Sequence, residues 1–539
     1  MDSCASDRSL EMARSIIRVL EEETNIWDLR IESIPIWWFI RLHFRSRLAK
    51  HLDEVSEMRA LRGHRGILES IARLLSFCPK VLVFCLRCAV GPAQLLGARK
   101  LYAQNPVLFL SISTGVKGTR MATEADLHFS AIIEQLGGPS VIVERPTLSR
   151  WDARTGFLRR GVIFFDGMLL CSILRSLPRL CSPARIIAWD TFASACAGLA
   201  LPGITAESLL RMLKQTVRAH SRKATVQVSA SRELVRRIHP SVIVETTSYD
   251  SGVVAMNLAA RESGIPVVEL QHGLINHDLS YDYFLPPGYD GMRPLPDKIL
   301  VYGKAFKDSI LEMGTGFSSQ DVVVAGYSRL DRFLLELSGC GYVSVRMAAR
   351  QRLGVGEGTQ VITVTSQPGT GTCLGTFMLT AVSALREQDI MVCIKPHPSE
   401  TGRWQRARFD AFRGAPYRIV TDADMDLYEL LVATDVHVTV YSTVFLECLA
   451  LSVPTVIVGS CPGSAGATQL LSEGEVVVVN TAAEFASLIQ RLSRDIGQKQ
   501  QLVERGKTTA GRFFSEEHCA IQVAVRQIQE CKRRQQRGF

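Results

Sequence analysis

Short apolar runs recur along this chain from about Asn105, each closed by a polar turn and followed by a stretch with helical apolar spacing. Pro106–Ile112, Val141–Val143, Val162–Phe165, Arg185–Trp189, Ser241–Glu245 and Val267–Leu270 form the first series. Lys298–Tyr302, Val322–Ala325, Val361–Thr365, Met391–Lys395, Tyr417–Val420, Val436–Val440, Thr455–Val458 and Glu475–Val479 form the second. The runs are continuously apolar rather than alternating, which predicts parallel strands covered by helices on both faces. Helices are expected over Asp126–Leu136, over Ala206–Arg237 behind a Thr205 cap, and over Gly252–Glu262. The Pro-, Gly- and Tyr-rich stretch Tyr281–Pro296 reads as a linker between the two series. The fold class is therefore α/β: two doubly wound, Rossmann-like domains facing across a cleft. The boundaries read as a helical N-terminal extension over 1–104, a first domain over 105–290, a second over 291–515, and a C-terminal amphipathic helix with a basic tail over 516–539.

Composition narrows this picture. A chain of 539 residues is too long for one core, and 47% hydrophobic with 21% charged residues describes a globular protein. The net charge of +9 is modest and uneven, with Arg41–Lys100 rich in basic residues. That bias suits an anionic membrane surface or an anionic acceptor, and no aromatic-interleaved array points to nucleic acid. The dense segment Ile34–Leu42, with Trp37 and Trp38 beside arginines, suits a membrane interface or a packed helix, packing being favoured. The N-terminus shows no signal-peptide pattern, and no apolar stretch reaches spanning length; Val81–Gly97 is interrupted by Arg87 and Pro92. Fourteen cysteines without a regular framework suggest reduced thiols and a cytoplasmic setting, peripheral on the membrane face at most. Cys85 and Cys88 form a lone CxxC, too little for a zinc site.

Candidate chemistry gathers where strands end, because ligands of open parallel sheets bind beyond the C-terminal edge. Met391–Lys395 runs into Pro396, His397 and Pro398; Val436–Val440 runs into Tyr441, Ser442 and Thr443, with Glu447 one helical turn on. Lys395, His397, Ser442 and Thr443 can donate to a phosphate, Glu447 can accept from ribose hydroxyls, and Thr365, Ser366 and Gln367 would line the pocket. In the first series, Val267–Leu270 leads to Gln271, His272 and Gly273. His272 is the candidate general base, with Asp250 as a second base or its partner, although Asp250 could simply cap the helix behind it. Gly273 is expected to relieve a sharp turn. Lys117, Arg120 and Gln271 are candidates for binding the acceptor. Asp422, Asp424 and Asp426 read as helix N-terminal acids, and no metal site is expected.

The series VVELQHGLI, DKILVYGKAFKD, VVVAGYSRLD, VCIKPHPSE and VTVYSTVFLECLALSVPTVIV resembles bacterial surface-carbohydrate glycosyltransferases of GT-B fold, including capsule polysaccharide and CDP-glycerol-type transferases. The resemblance spans roughly 241–459. It implies that His397, Ser442 and Thr443 bind the donor's nucleotide phosphates and that His272 is the base. It further implies transfer of a sugar from a nucleotide-activated donor to a surface polysaccharide or glycolipid, with neither bound metal nor cofactor. Ser328 stands where such proteins often carry proline. Alternatives left open are a polyol-phosphate transferase, a nucleotide-sugar 2-epimerase and a non-catalytic nucleotide-binding scaffold.

Overall fold

The computed structural model describes residues 7–56, 88, 104–112, 128–145, 162–176, 185–275, 280–367, 370–385, 389–397, 417–421, 424–472 and 474–537. Helices α1 (Asp7–Glu23) and α2 (Trp37–Ser56) open the chain. The first sheet is built from β1 (Val107–Ile112), β2 (Ser140–Arg145), β3 (Val162–Phe164), β4 (Val242–Glu245), β5 (Val267–Leu270), β6 (Lys298–Val301) and β7 (Val322–Val324). Helix α3 (Ser130–Leu136) lies between β1 and β2, the long α4 (Ala206–Ile238) precedes β4, and α5 (Ser251–Glu262) joins β4 to β5. All seven strands run parallel in the order β7-β6-β5-β4-β1-β2-β3.

The second sheet holds β8 (Gln360–Thr365), β9 (Ile390–Lys395), β10 (Tyr417–Ile419), β11 (Val436–Thr439), β12 (Thr455–Val458) and β13 (Val477–Val479), parallel in the order β10-β9-β8-β11-β12-β13. Its helices include α6 (Gly371–Ser383), α7 (Leu427–Ala433) and the short α8 (Val444–Ala450). Both sheets start centrally, step outward by two strands, then resume on the other side. Each therefore has one switch point, between β1 and β4 in the first and between β8 and β11 in the second. Such points open a crevice at the strands' C-terminal ends.

The sheet topology moves the domain boundary that the sequence suggested. Residues 298–301 and 322–324 do not open the second domain; β6 pairs with β5, and Asp297 N–H donates to the Val267 carbonyl at 2.8 Å. The Tyr281–Pro296 stretch is a long excursion within the first domain, and the chain crosses to the second sheet between Val324 and Gln360. The last helix, α9 (Ala520–Arg537), is no separate tail. Its Val523, Val525 and Ile528 pack with Val107, Phe109, Phe129 and Val244 of the first domain. On the way there, Ser515 N–H donates to the Tyr302 carbonyl at 3.0 Å. A Cβ at Gly303 would stand 2.3 Å from the Phe513 backbone, so only glycine admits this crossing.

The N-terminal helices are packed, as the favoured reading held. Trp37 and Trp38 are 0% and 5% exposed, and a very short strand at 30–31 pairs on one side with 34–35 and on the other with 186–187, apart from both main sheets. Glu21 and Arg41 are both buried and paired, Trp37 Nε1 donates to Glu21 at 2.9 Å, and Arg41 continues to Asp282. Arg14 grips the same Asp282 at 2.7 Å. The segment Val81–Gly97 falls outside the described residues apart from Cys88, which is buried. Among the described residues no helix is long and apolar enough to cross a membrane. The expectation of reduced thiols fails at one pair: Cys373, in the first turn of α6, and Cys461, after β12, form a disulfide with a Cα separation of 5.8 Å.

Candidate active site

At the second switch point, the loops after β8 and β9 are tied together: His397 N–H donates to Ser366 Oγ at 3.2 Å. Ser442, beyond β11, is 7% exposed and its Oγ accepts from Val444 N–H at 3.3 Å. Gln367, next after Ser366, holds its side-chain oxygen buried without a hydrogen-bond partner. A buried acceptor left unpaired is costly, so this atom is ready for a donor supplied by a ligand.

Three expected pocket residues point elsewhere. The Thr365 hydroxyl turns into the sheet, 2.9 Å from His437 Nε2 and 3.1 Å from Thr439 Oγ1, because it shares the face of Thr363, which is likewise bonded to Thr434. Lys395 is 7% exposed and its ammonium donates to the Met425 carbonyl at 3.1 Å. Glu447 is 3% exposed and sits among Tyr302, Tyr327, Tyr428 and Arg329 rather than at an open edge. Burial raises its carboxyl, and Arg329 only partly opposes this. Of the aspartates before α7, Asp426 caps it in a capping box with Glu429, Asp424 accepts from the Thr421 N–H and hydroxyl, and Asp422 lies outside the described residues.

In the first domain, His272 follows β5 beside the turn Thr246–Asp250 at that sheet's switch point. Its Nε2 lies 3.4 Å from Tyr249 Oη. Burial, with the nearby His128 and Arg145 charges, pushes its pKa down to about 4, so the ring is neutral at pH 7. Asp250 is committed elsewhere. It accepts from Gly252 N–H at 2.8 Å, capping α5, and pairs with Arg145 at 2.5 Å. Burial would raise its carboxyl, but Arg145 and the Gly252 N–H outweigh that and hold it below its usual range. Gln271 is likewise spent: its amide donates to the Gly273 carbonyl and accepts from Tyr302 N–H, each at 2.8 Å, fastening β5 to β6. Gly273 itself needs no glycine freedom, since a Cβ there would meet nothing within 4 Å. Lys117 and Arg120 lie outside the described residues.

The sequence reading passed over Arg145 and Tyr249, which face His272, and Glu245, Glu269 and Tyr281, which hold or pack on the turn that carries Tyr249. A signal existed in VIVE and VVEL, where a carboxylate interrupts an otherwise apolar strand. A single apolar cluster contains Tyr249, Leu274, Ile275 and Tyr281 from the first domain with Tyr441, Val444 and Phe445 from the second.

The family model described as CDP-Glycerol:Poly(glycerophosphate) glycerophosphotransferase matches residues 214–459. The matched segment includes β4 to β12 and therefore both switch-point turns. No curated protein matches it in sequence. Similar solved structures include the wall teichoic acid polymerase TagF, at 11% identity over 87% of this chain and 100% of that one with a TM-score of 0.47. A UDP-GlcNAc 2-epimerase from Neisseria meningitidis bound to UDP-GlcNAc is similar at 12% identity, 79% and 99% coverage and a TM-score of 0.45. Anabaena Alr3699/HepE in complex with UDP and glucose is similar at 13% identity, 78% and 98% coverage and a TM-score of 0.41.

Proposed function

We propose that this chain transfers a sugar from a nucleotide-activated donor to a hydroxyl of a surface polysaccharide or glycolipid acceptor. The observation that supports this most is the gathering of Ser366, Gln367, His397 and Ser442 at the second sheet's switch point, inside the segment with the transferase match. The donor's nucleotide belongs there, with His397, Ser442 and Thr443 meeting its phosphates and Gln367 accepting from the base or ribose. His272, neutral at pH 7, takes the proton of the acceptor hydroxyl as that oxygen attacks the donor carbon. The bond to the nucleotide phosphate breaks, and the charge released there is met by the donors around His397 and Ser442. The catalytic steps so written use no bound metal or cofactor, and the protein would act on the cytoplasmic face of the membrane.

A second reading is favoured by the description of the matching family: transfer of a polyol phosphate from a CDP-linked donor, with attack at phosphorus instead of carbon. Calorimetric titration with CMP, UDP, CDP and GDP tests both readings. Tight binding of one nucleotide is expected, CDP favouring the second reading, and binding of none would leave only a scaffold. Replacing His397 with alanine should remove most turnover from a folded protein; full activity would take that side chain out of the site.

A further inference from the structure

Glu245 ends β4 and Glu269 stands beside it on β5, paired in register, and neither has any solvent exposure. Two carboxylates placed together out of water do not both ionise readily. Burial raises both, and the charge of Glu269 raises Glu245 further. Their hydrogen bonds converge on one turn. Glu245 Oε2 accepts from Thr247 N–H at 2.5 Å, and Glu269 Oε1 accepts from Ser248 N–H at 3.3 Å. Tyr281 Oη donates to that same Glu269 oxygen at 2.7 Å. The turn so held presents Tyr249, whose hydroxyl lies against His272 Nε2 and whose ring meets Tyr281 edge-on at 5.7 Å. On the far side, Tyr281 is followed by Asp282, gripped by Arg14 and Arg41 of the N-terminal helices.

We infer that Glu245 and Glu269 act as one buried acidic pair that fixes the Thr246–Asp250 turn, making Glu269 and Tyr281 positioning residues for His272. Its bearing on catalysis rests on the proposed role of His272 as the base; the positioning itself does not. Any buried hydrogen bond could steady the fold. What sets this one apart is that its loss reaches a specific imidazole through Ser248 and Tyr249, past the Arg145 and His128 charges that also face His272.

The experiment is a pH titration of the His272 ring by NMR, assigned with His272→Gln, together with hydrogen exchange at the Ser248 amide. It is run on the full chain and on Glu269→Gln, Glu269→Leu and Tyr281→Phe. Glu269→Gln keeps an acceptor oxygen and should titrate and exchange as the parent does. Glu269→Leu and Tyr281→Phe should admit water to the turn, raise the His272 midpoint by about one pH unit or more toward its solvent value, and speed Ser248 exchange by about tenfold. Parent-like values in both would overturn the inference. If Glu269→Leu does not fold, Tyr281→Phe, which removes a single oxygen, decides alone. A transferase assay of His272→Gln separates the two claims: full activity there would remove the base while leaving the positioning result standing.

Discussion

Arg145 and Lys395 occupy equivalent places, each ending the strand next outward from the first strand of its sheet, yet they do opposite things. Arg145 reaches inward to the switch-point turn after β4, bonding Asp250 and, at 3.2 Å, Thr247 Oγ1. Lys395 turns away from the turn after β11 to a backbone carbonyl. The surroundings follow suit. The first turn is packed with titratable groups, namely Glu245, Asp250, Glu269, Tyr249 and His272, each held by a named partner. The second is held by hydroxyls and amides, and leaves Gln367 with a spare acceptor. Two sheets of one strand order thus carry different side chains at their switch points: titratable groups in the first domain, hydroxyls and amides in the second.

The largest expected effect tests whether the N-terminal helices serve only the first of these turns. Arg41→Ala would leave Glu21 buried without its cation and Asp282 with Arg14 alone, a loss of about 3–5 kcal/mol on the scale of broken buried pairs. Denaturant unfolding measures it. If any folded protein remains, its nucleotide affinity should survive while transfer does not. Next comes the direct contrast. Arg145→Ala should cost about 3 kcal/mol, because it strips a buried hydrogen-bonded ion from Asp250 and Thr247, whereas Lys395→Ala should cost about 1 kcal/mol. Equal losses would erase the distinction. Smaller again, Gln367→Ala should weaken nucleotide binding by about two- to tenfold, one hydrogen bond's worth, with no loss of melting temperature.

The smallest effect is a slope. Glu269 is more readily protonated in the folded state than in the unfolded one, so its contribution to stability is present below pH 4.5 and is lost as pH rises through its folded value of about 7. His272 has the opposite sign: its depressed folded value costs stability below about pH 4 and ceases to do so above 6.5. The two offset each other in the parent. The difference in unfolding free energy between Glu269→Gln and the parent should therefore move in the variant's favour from pH 4.5 to 7, and a flat difference would contradict the raised carboxyl.

Much of this architecture is legible in the residues. Continuous Val/Ile runs gave the strands, Thr205 and Asp426 were readable as caps, and QHG, KPHP and YST fell at strand ends as parallel sheets require. What stayed hidden depends on long-range pairing. A Pro- and Gly-rich stretch looks the same whether it links domains or loops back to the same sheet, and only the pairing of β6 with β5 shows which. Likewise Thr365, Lys395 and Gln271 are of the right type at the right end of a strand. Which way each side chain turns is set by neighbours distant in sequence: His437, Met425 and Tyr302. The acidic pair was visible as an anomaly in two strands, but its meaning required knowing that those strands are adjacent.

The division of labour is tested most directly by measuring nucleotide affinity of His272→Ala and His397→Ala side by side, using the nucleotide that binds the parent. The account predicts parent-like affinity for the His272 variant and a loss for the His397 variant. The reverse order, or equal losses in both, would contradict it.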